Sequence, residues 1–393
     1  MKKFITKLLI IVSSLTLVLY VAAHIFVPGI IDKKYNRVFS NPPYNVASLE
    51  ATKLHEELLI ADLHSDALIW GRDLLKNNDR GHVDIPRLLE GNIALQVFSV
   101  PTKVPKKRSQ WGTDPDQLNL ITLSAITMAW PISSWFNLSS RVTHLGGYLN
   151  EVAEDSDGKF RVIKTSSELN ELFKVRERKK NLTGGILAIE GLHALDGEIE
   201  NLDLFYKSGY RIMGLVHHFD NMIGGSSYGL KKGGLTKFGR RIVERMDELG
   251  IIIDLAHASE QLIEDVLEVT SRPVVVSHTG VKGTCKRTRN LGDDQVRAIA
   301  EKGGLIGIGF WRGAICGTQP TDIARAIRYT VELAGIEHVA LGSDFDGDAM
   351  PFDASGMVQI TEALLNEGFS ETEIKKIMGK NLIEFLLENL PEN

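Results

Sequence analysis

His64 and Asp66 stand two residues apart, directly after the apolar run Leu58-Leu59-Ile60. On an extended backbone, residues two apart point the same way. An imidazole and a carboxylate side by side at a strand end can grip a borderline cation such as zinc. Alone the pair is weak, because most His-x-Asp pairs are surface or hydrogen-bonded. It gains weight from Glu190, His217, His257, His278 and Asp344, each at the end of another apolar run. The chain has 11 histidines, and the clustering of His64, His217, His257 and His278 at such ends is not expected of a random scatter.

His64, Asp66, Glu190, His257 and His278 supply enough donors for two cations. Two metals about 3.5–4 Å apart need a shared ligand, and a two-oxygen carboxylate can serve. Glu190 is the natural bridge, since its strand lies between the others. Paired zinc ions would polarise a carbonyl and bring a bridging water towards neutral pKa, giving a hydroxide that attacks the carbonyl carbon. Asp344 is left as the acid/base that takes the water's proton and passes it to a leaving amine. His217 is followed by His218, and either can be the inward one. Structural roles stand beside these: a salt-bridged Glu190, or Asp344 as a turn residue, although Asp346 suits that turn better. His55, His82, His144, His193 and His338 are read as structural, and Trp111, Trp130 and Trp135 as lid packing.

The elements that must position these groups recur along the chain. Apolar runs occupy Leu58–Leu63, Ile93–Val100, Gly185–Ile189, Arg211–Val216, Gly250–Leu255, Pro273–Ser277, Leu305–Phe310 and His338–Gly342. Runs this continuous suit a sheet covered on both faces. Helices fit between them. Thr236 caps Lys237–Leu249, which Gly250 stops; Ser259 caps Glu260–Thr270. Asp293 or Asp294 opens a helix through Ala300, Thr321 opens Asp322–Ala334, and Ser370–Leu390 is a packed helix. Eight strand-helix alternations predict an α/β fold, a closed (β/α)8 TIM barrel with its chemistry at the carboxyl ends of the strands. An open doubly wound sheet is the alternative, and no Gly-x-Gly-x-x-Gly follows the first strand to suggest a dinucleotide. The stretch from Pro101 to Leu182 is too long for a loop. Helical patterns at Gln117–Trp130 and Ser139–Ala153 make it a helical insertion between the second and third strands, over the barrel mouth. Asn137-Leu-Ser and Asn181-Leu-Thr match the glycosylation sequon, a pattern common by chance.

With 393 residues, net charge -5 and 43% hydrophobic residues, the chain suits a folded enzyme and carries no footprint for nucleic acid. Cys285 and Cys316 fit no zinc-finger spacing and are expected as two buried thiols rather than a bridge. Lys2, Lys3 and Lys7 precede Leu8–Val27, which lacks any charge and is long enough to cross a bilayer. An uncleaved anchor is preferred to a secretory signal cut near Val21-Ala22-Ala23. The basic residues before the span favour a cytoplasmic N-terminus and an extracytoplasmic (periplasmic or extracellular) body, against the weaker pull of Lys33, Lys34 and Arg37. The organisation expected is residues 1–30 as anchor or signal, 31–50 as tether and 51–393 as barrel domain.

Together these motifs resemble the membrane dipeptidase (renal dipeptidase) family of the metal-dependent amidohydrolase superfamily. The pieces are Asp62-Leu-His-Ser-Asp66, Ile189-Glu-Gly-Leu-His193, Leu215-Val-His-His-Phe-Asp-Asn221, Asp254-Leu-Ala-His-Ala-Ser259, Val276-Ser-His-Thr279, Arg289-Asn290 with Asp293-Asp294, and Gly342-Ser-Asp-Phe-Asp-Gly347. The resemblance implies a barrel with two zinc ions, His64 and Asp66 on one, His257 and His278 on the other, and Glu190 shared. It implies that His217 contacts the scissile carbonyl, that Arg289 holds the substrate's terminal carboxylate, and that Asp344 is catalytic. A guanidinium suits that two-pronged task. Trp311 stands where relatives can place a substrate-contacting tyrosine. Family members cleave dipeptides, often with a D-residue on the carboxyl side, some open β-lactams, and homodimers are common. Another binuclear amidohydrolase, acting on an amide, lactam or lactone, is the alternative; many such relatives use a carbamylated lysine bridge, and no strand end here offers a lysine.

Overall fold

The computed structural model describes residues 2–40, 44, 47–107, 109 and 111–392. Its strands are β1 (Ile60–Ser65), β2 (Ile93–Pro101), β3 (Phe160–Val162), β4 (Thr183–Glu190), β5 (Tyr210–Gly214), β6 (Ile252–Asp254), β7 (Val275–Thr279), β8 (Leu305–Ile308) and β9 (Val339–Leu341). All pairings between them are parallel, and β1 pairs with both β2 and β9 while β2 pairs with β4. Eight strands therefore close into the expected TIM barrel. β3, which the sequence did not signal, lies inside the insertion and pairs outside the ring with the start of β4.

Local chemistry explains the elements. Thr236 accepts the N–H of Gly239, Ile242, Val243 and Met246 are buried, and Gly250 ends that helix at φ 71°. Ser259 caps Glu260–Val269 through the N–H of Leu262. Two starts differ from expectation: Gly292 precedes Asp293–Glu301, and Gln319 precedes Pro320–Ala334, where proline at the first position needs no N–H partner. The C-terminal helix (Asn381–Asn389) packs on β1, β8 and β9. It joins Leu382, Phe385 and Leu386 to Ala61, Leu63 and Ala340 in one apolar cluster.

Two expectations are corrected. The N-terminal helix does not give way to a tether after Pro28; it runs from Lys2 to Tyr35 with Pro28 inside it. Proline interrupts one backbone hydrogen bond, but Ile31 and Tyr35 pack on the core and Asp32 is wholly buried, so tertiary contacts hold the last turns. Part of the remaining tether, residues 41–43, 45 and 46, lies outside the described residues. The cysteines are not two thiols: Cys285 and Cys316 form a disulfide with Cα atoms 5.3 Å apart. They sit on the loops after β7 and β8, which pair with each other, so the topology brings together residues that the sequence left 31 apart.

Candidate active site

The carboxyl ends of the strands bring the sequence-selected groups into one place. His64 closes β1 and Asp66 follows it, Glu190 ends β4, and His278 lies in β7. His257 follows β6, and Asp344 follows β9. Glu190 lies between them. Its Oε1 is 2.9 Å from His257 Nε2, 3.3 Å from His278 Nε2 and 3.9 Å from His64 Nε2. Its Oε2 is 3.3 Å from His217 Nε2. Asp66 Oδ1 and Asp344 Oδ1 lie 3.3 and 4.0 Å from His64 Nε2. Two of the resulting groups, His64/Asp66/Glu190 and Glu190/His257/His278, each have ligand atoms close enough to hold one metal ion, and Glu190 belongs to both.

The electrostatics point the same way. His257 Nε2 and His278 Nε2 are 3.0 Å apart. Burial, reinforced by the charge of Arg289 and the other site histidines, pushes both well below the ordinary histidine value, which leaves them neutral and able to donate lone pairs. Burial also pushes His64 down, but Asp66, Glu190 and Asp344 outweigh it and hold the ring up at about 10. Glu190 is raised well above the ordinary range, by burial first and by the charge of Asp66 next. A buried carboxylate that clings to its proton among other acidic groups marks a place where positive charge is favoured. His64 Nε2, Asp66 Oδ1 and Glu190 Oε2 are all buried without a hydrogen-bond partner, although polar atoms so placed are normally satisfied. Buried nitrogen and oxygen atoms left without partners around one point are the kind of set that a bound metal ion satisfies.

A second layer aims the ligands. Ser277 Oγ donates to Asp254 Oδ2 at 2.6 Å and lies 3.2 Å from His64 Nδ1 and 2.9 Å from His278 Nδ1. Asp62 accepts from the N–H and hydroxyl of Ser343, both at 2.7 Å, and so ties β1 to the turn carrying Asp344. His257 and Asp344 hold φ of 64° and 62°, a left-handed backbone that costs energy outside glycine. Strained backbone under the two groups that a strand alone would not aim is consistent with a site built for a task.

Asp66, Glu190, His257, His278 and Asp344 floor a cavity of about 500 Å³, within the range of small-molecule sites. Both members of the His217-His218 pair line it. Arg289 also lines it, with Nη2 donating to the carbonyl of His278 at 2.6 Å and Nε buried without a partner. Among the described residues no carboxylate lies within ion-pair distance of this guanidinium. Trp311 lines the cavity too, its ring 5.7 Å from that of His278. His55, His82, His144, His193 and His338 are not among its lining residues. Trp130 is buried and Trp135 half-buried, whereas Trp111 is 84% exposed.

The sequence reading missed Tyr228, which lines the cavity with its ring 5.1 Å from that of His218; no pattern around it signals chemistry. It also undervalued Asp346, a turn residue as expected but buried, with φ 67°. Asp346 accepts the N–H groups of His82 and Val83 and pairs with Arg72 at 2.5 Å. Those partners hold its carboxyl below the ordinary range despite burial.

Known proteins place this geometry. Residues 49–389 match the family described as Membrane dipeptidase (Peptidase family M19). The dipeptidase tcpJ of Claviceps purpurea is 27% identical over 321 residues, covering 78% of this chain and 69% of that protein. A metallo peptidase from Rhodobacter sphaeroides, solved with a phosphinate mimic of the dipeptide L-Ala-D-Ala, superposes with TM-score 0.68 at 24% identity, over 85% of this chain and 99% of that one. The probable dipeptidase PvdM from Pseudomonas aeruginosa gives TM-score 0.72 at 18% identity, over 87% and 98%. These structures share the fold, and the family match covers most of the sequence. The chain belongs to the membrane dipeptidase family and is a metal-dependent hydrolase of dipeptides.

Proposed function

We propose that this dipeptidase works with two zinc ions, His64 and Asp66 holding one, His257 and His278 the other, and Glu190 shared. The observation that carries this reading is Glu190 Oε1, within 4 Å of imidazoles from three other elements. Bound zinc would polarise the scissile carbonyl and acidify water. The chain's own groups do the rest. Asp344 takes the proton of the attacking water and returns it to the leaving amine. His217, beside Glu190 Oε2, donates to the carbonyl oxygen as charge develops on it. Arg289 receives the substrate's carboxylate on its free edge, and Trp311 packs against the substrate. The phosphinate mimic of L-Ala-D-Ala bound by the Rhodobacter sphaeroides protein supports a D-residue at the carboxyl side. Elemental analysis tests the metal reading. The parent should retain two zinc per chain and Glu190→Gln one or none; a single zinc in the parent overturns the shared-ligand arrangement.

The N-terminal helix is the membrane anchor in this reading, with the barrel outside the cytoplasm. Three lysines precede its apolar span, and the disulfide suits an oxidising compartment. Residues 2–19 are exposed along their length, whereas Tyr20 and His24 reach the carbonyls of Ile126 and Thr127 in the insertion. The insertion, with Ile132 and Phe136 exposed, then rests at the bilayer surface.

A further inference from the structure

The end of the N-terminal helix does more than lead away from the apolar span. Its half-buried positions Tyr20, Ala23, Val27, Ile31 and Tyr35 recur every three or four residues, so one stripe faces the protein. Ile31 and Tyr35, at the last turns, line the same cavity whose floor holds His257, His278 and Asp344. Ile69, Trp70, Val104 and Ile121 continue that apolar side. The helix end is clamped between these two residues. Asp32, wholly buried, lies 2.9 Å from Arg80 Nε and 3.6 Å from Arg72 Nε. Arg72 in turn pairs with Asp346, two residues beyond Asp344. A buried carboxylate that left these partners would be costly, so the helix end has one seat. The ion network that shapes the Asp344 turn thus also fixes the helix.

We propose that Ile31 and Tyr35 are specificity-determining residues for the dipeptidase. They form the wall that a large apolar side chain of the dipeptide packs against, and Asp32 is the positioning residue that holds the wall in place. The helix carrying the apolar span is in this way part of the substrate cleft. A wall of branched aliphatic and aromatic groups rewards leucine or phenylalanine in the substrate and offers glycine nothing. The proposal rests on dipeptide hydrolysis alone, not on the number or identity of the metals.

The test is steady-state kinetics on the full-length, metal-loaded protein in detergent micelles, with Leu-Leu, Phe-Gly, Gly-Phe and Gly-Gly. In Ile31→Ala and Tyr35→Ala, KM for the leucine and phenylalanine dipeptides should rise about tenfold relative to KM for Gly-Gly. The change should lie in KM rather than kcat. Tyr35→Trp fills the cleft instead of emptying it and should shift the same ratio, while Asp32→Asn should reproduce the alanine effect by releasing the helix end. Bulky-to-small ratios within about twofold of the parent in Ile31→Ala, Tyr35→Ala and Tyr35→Trp would overturn the proposal. An error in the metal assignment shows up separately, as a changed zinc content of the parent.

Discussion

Asp66, Glu190, His257 and His278 meet the cavity at the ends of strands joined through one closed ring, whereas Ile31, Tyr35, Val104 and Ile121 reach the same cavity from the N-terminal helix and the long segment after β2. The floor is held by backbone ladders and by hydrogen bonds such as Asp62 to Ser343 and Asp254 to Ser277. The rim is held by side-chain packing and one ion network around Asp32. Ladders fix atoms to fractions of an ångström, and packing fixes shape. Changes to the floor should therefore alter kcat and metal content, and changes to the rim should alter KM and selectivity.

The sharpest separation comes from Asp344. It lies 4.0 Å from His64 Nε2 yet belongs to neither group that shares Glu190. Asp344→Asn should lower kcat about a thousandfold, the scale of a lost acid/base group, while the purified protein keeps the parent's zinc. A fall in zinc content matching the fall in rate would make Asp344 a ligand instead of a proton carrier.

The floor was legible in the sequence because its information is local. A strand end followed by His or Glu announces itself in a few residues, as Asp62-Leu-His-Ser-Asp66 does, and barrel topology then delivers every such end to one face. The rim carries no comparable mark. Ile31 and Tyr35 have ordinary neighbours, and only the fold brings them to the cavity. Tyr228 and the network of Asp346 with Arg72 and His82 were hidden for the same reason, since their partners are distant in sequence. Pro28 pointed the wrong way: the local rule for proline in a helix was overridden by packing of the turns that follow it.

The disulfide lies between the two regions. Asn290, next to Arg289, donates to the carbonyls of Cys285, Gly313 and Ala314 at 2.8, 3.2 and 3.1 Å. The bridge and this side chain thus tie the loop bearing Arg289 to the loop bearing Trp311. Replacing both cysteines with serine should cost about 3–4 kcal/mol of stability, from the loop that the bridge closes. It should also raise KM for dipeptides with kcat little affected, because the carboxylate site is loosened while the floor is not. Denaturant melts of parent and variant check the first effect; coincident midpoints would mean that the hydrogen bonds alone hold the loops.

A smaller effect separates what makes the floor special from what burial does anywhere. His55 is as hidden as the site histidines but sits among neutral partners, Thr361 Oγ1 at 2.9 Å and the carbonyl of Gly91 at 3.2 Å. Burial pushes its pKa down to about 4, with the Gly91 carbonyl opposing weakly, whereas the carboxylates around His64 reverse the same penalty. The sign follows from proton counting. Between about 4 and the ordinary 6.5 the unfolded chain binds a proton that the folded His55 refuses. Its contribution to stability is therefore present above 6.5 and lost as pH falls towards 4. The full loss is about 3 kcal/mol. Chemical denaturation of the metal-free protein across this range should show His55→Gln losing less stability than the parent by that amount. Parallel curves would place His55 in contact with solvent and remove the contrast with His64; a smaller slope in the variant would show that neutral burial makes a histidine acid-labile, and that only a nest of carboxylates makes it a cation site.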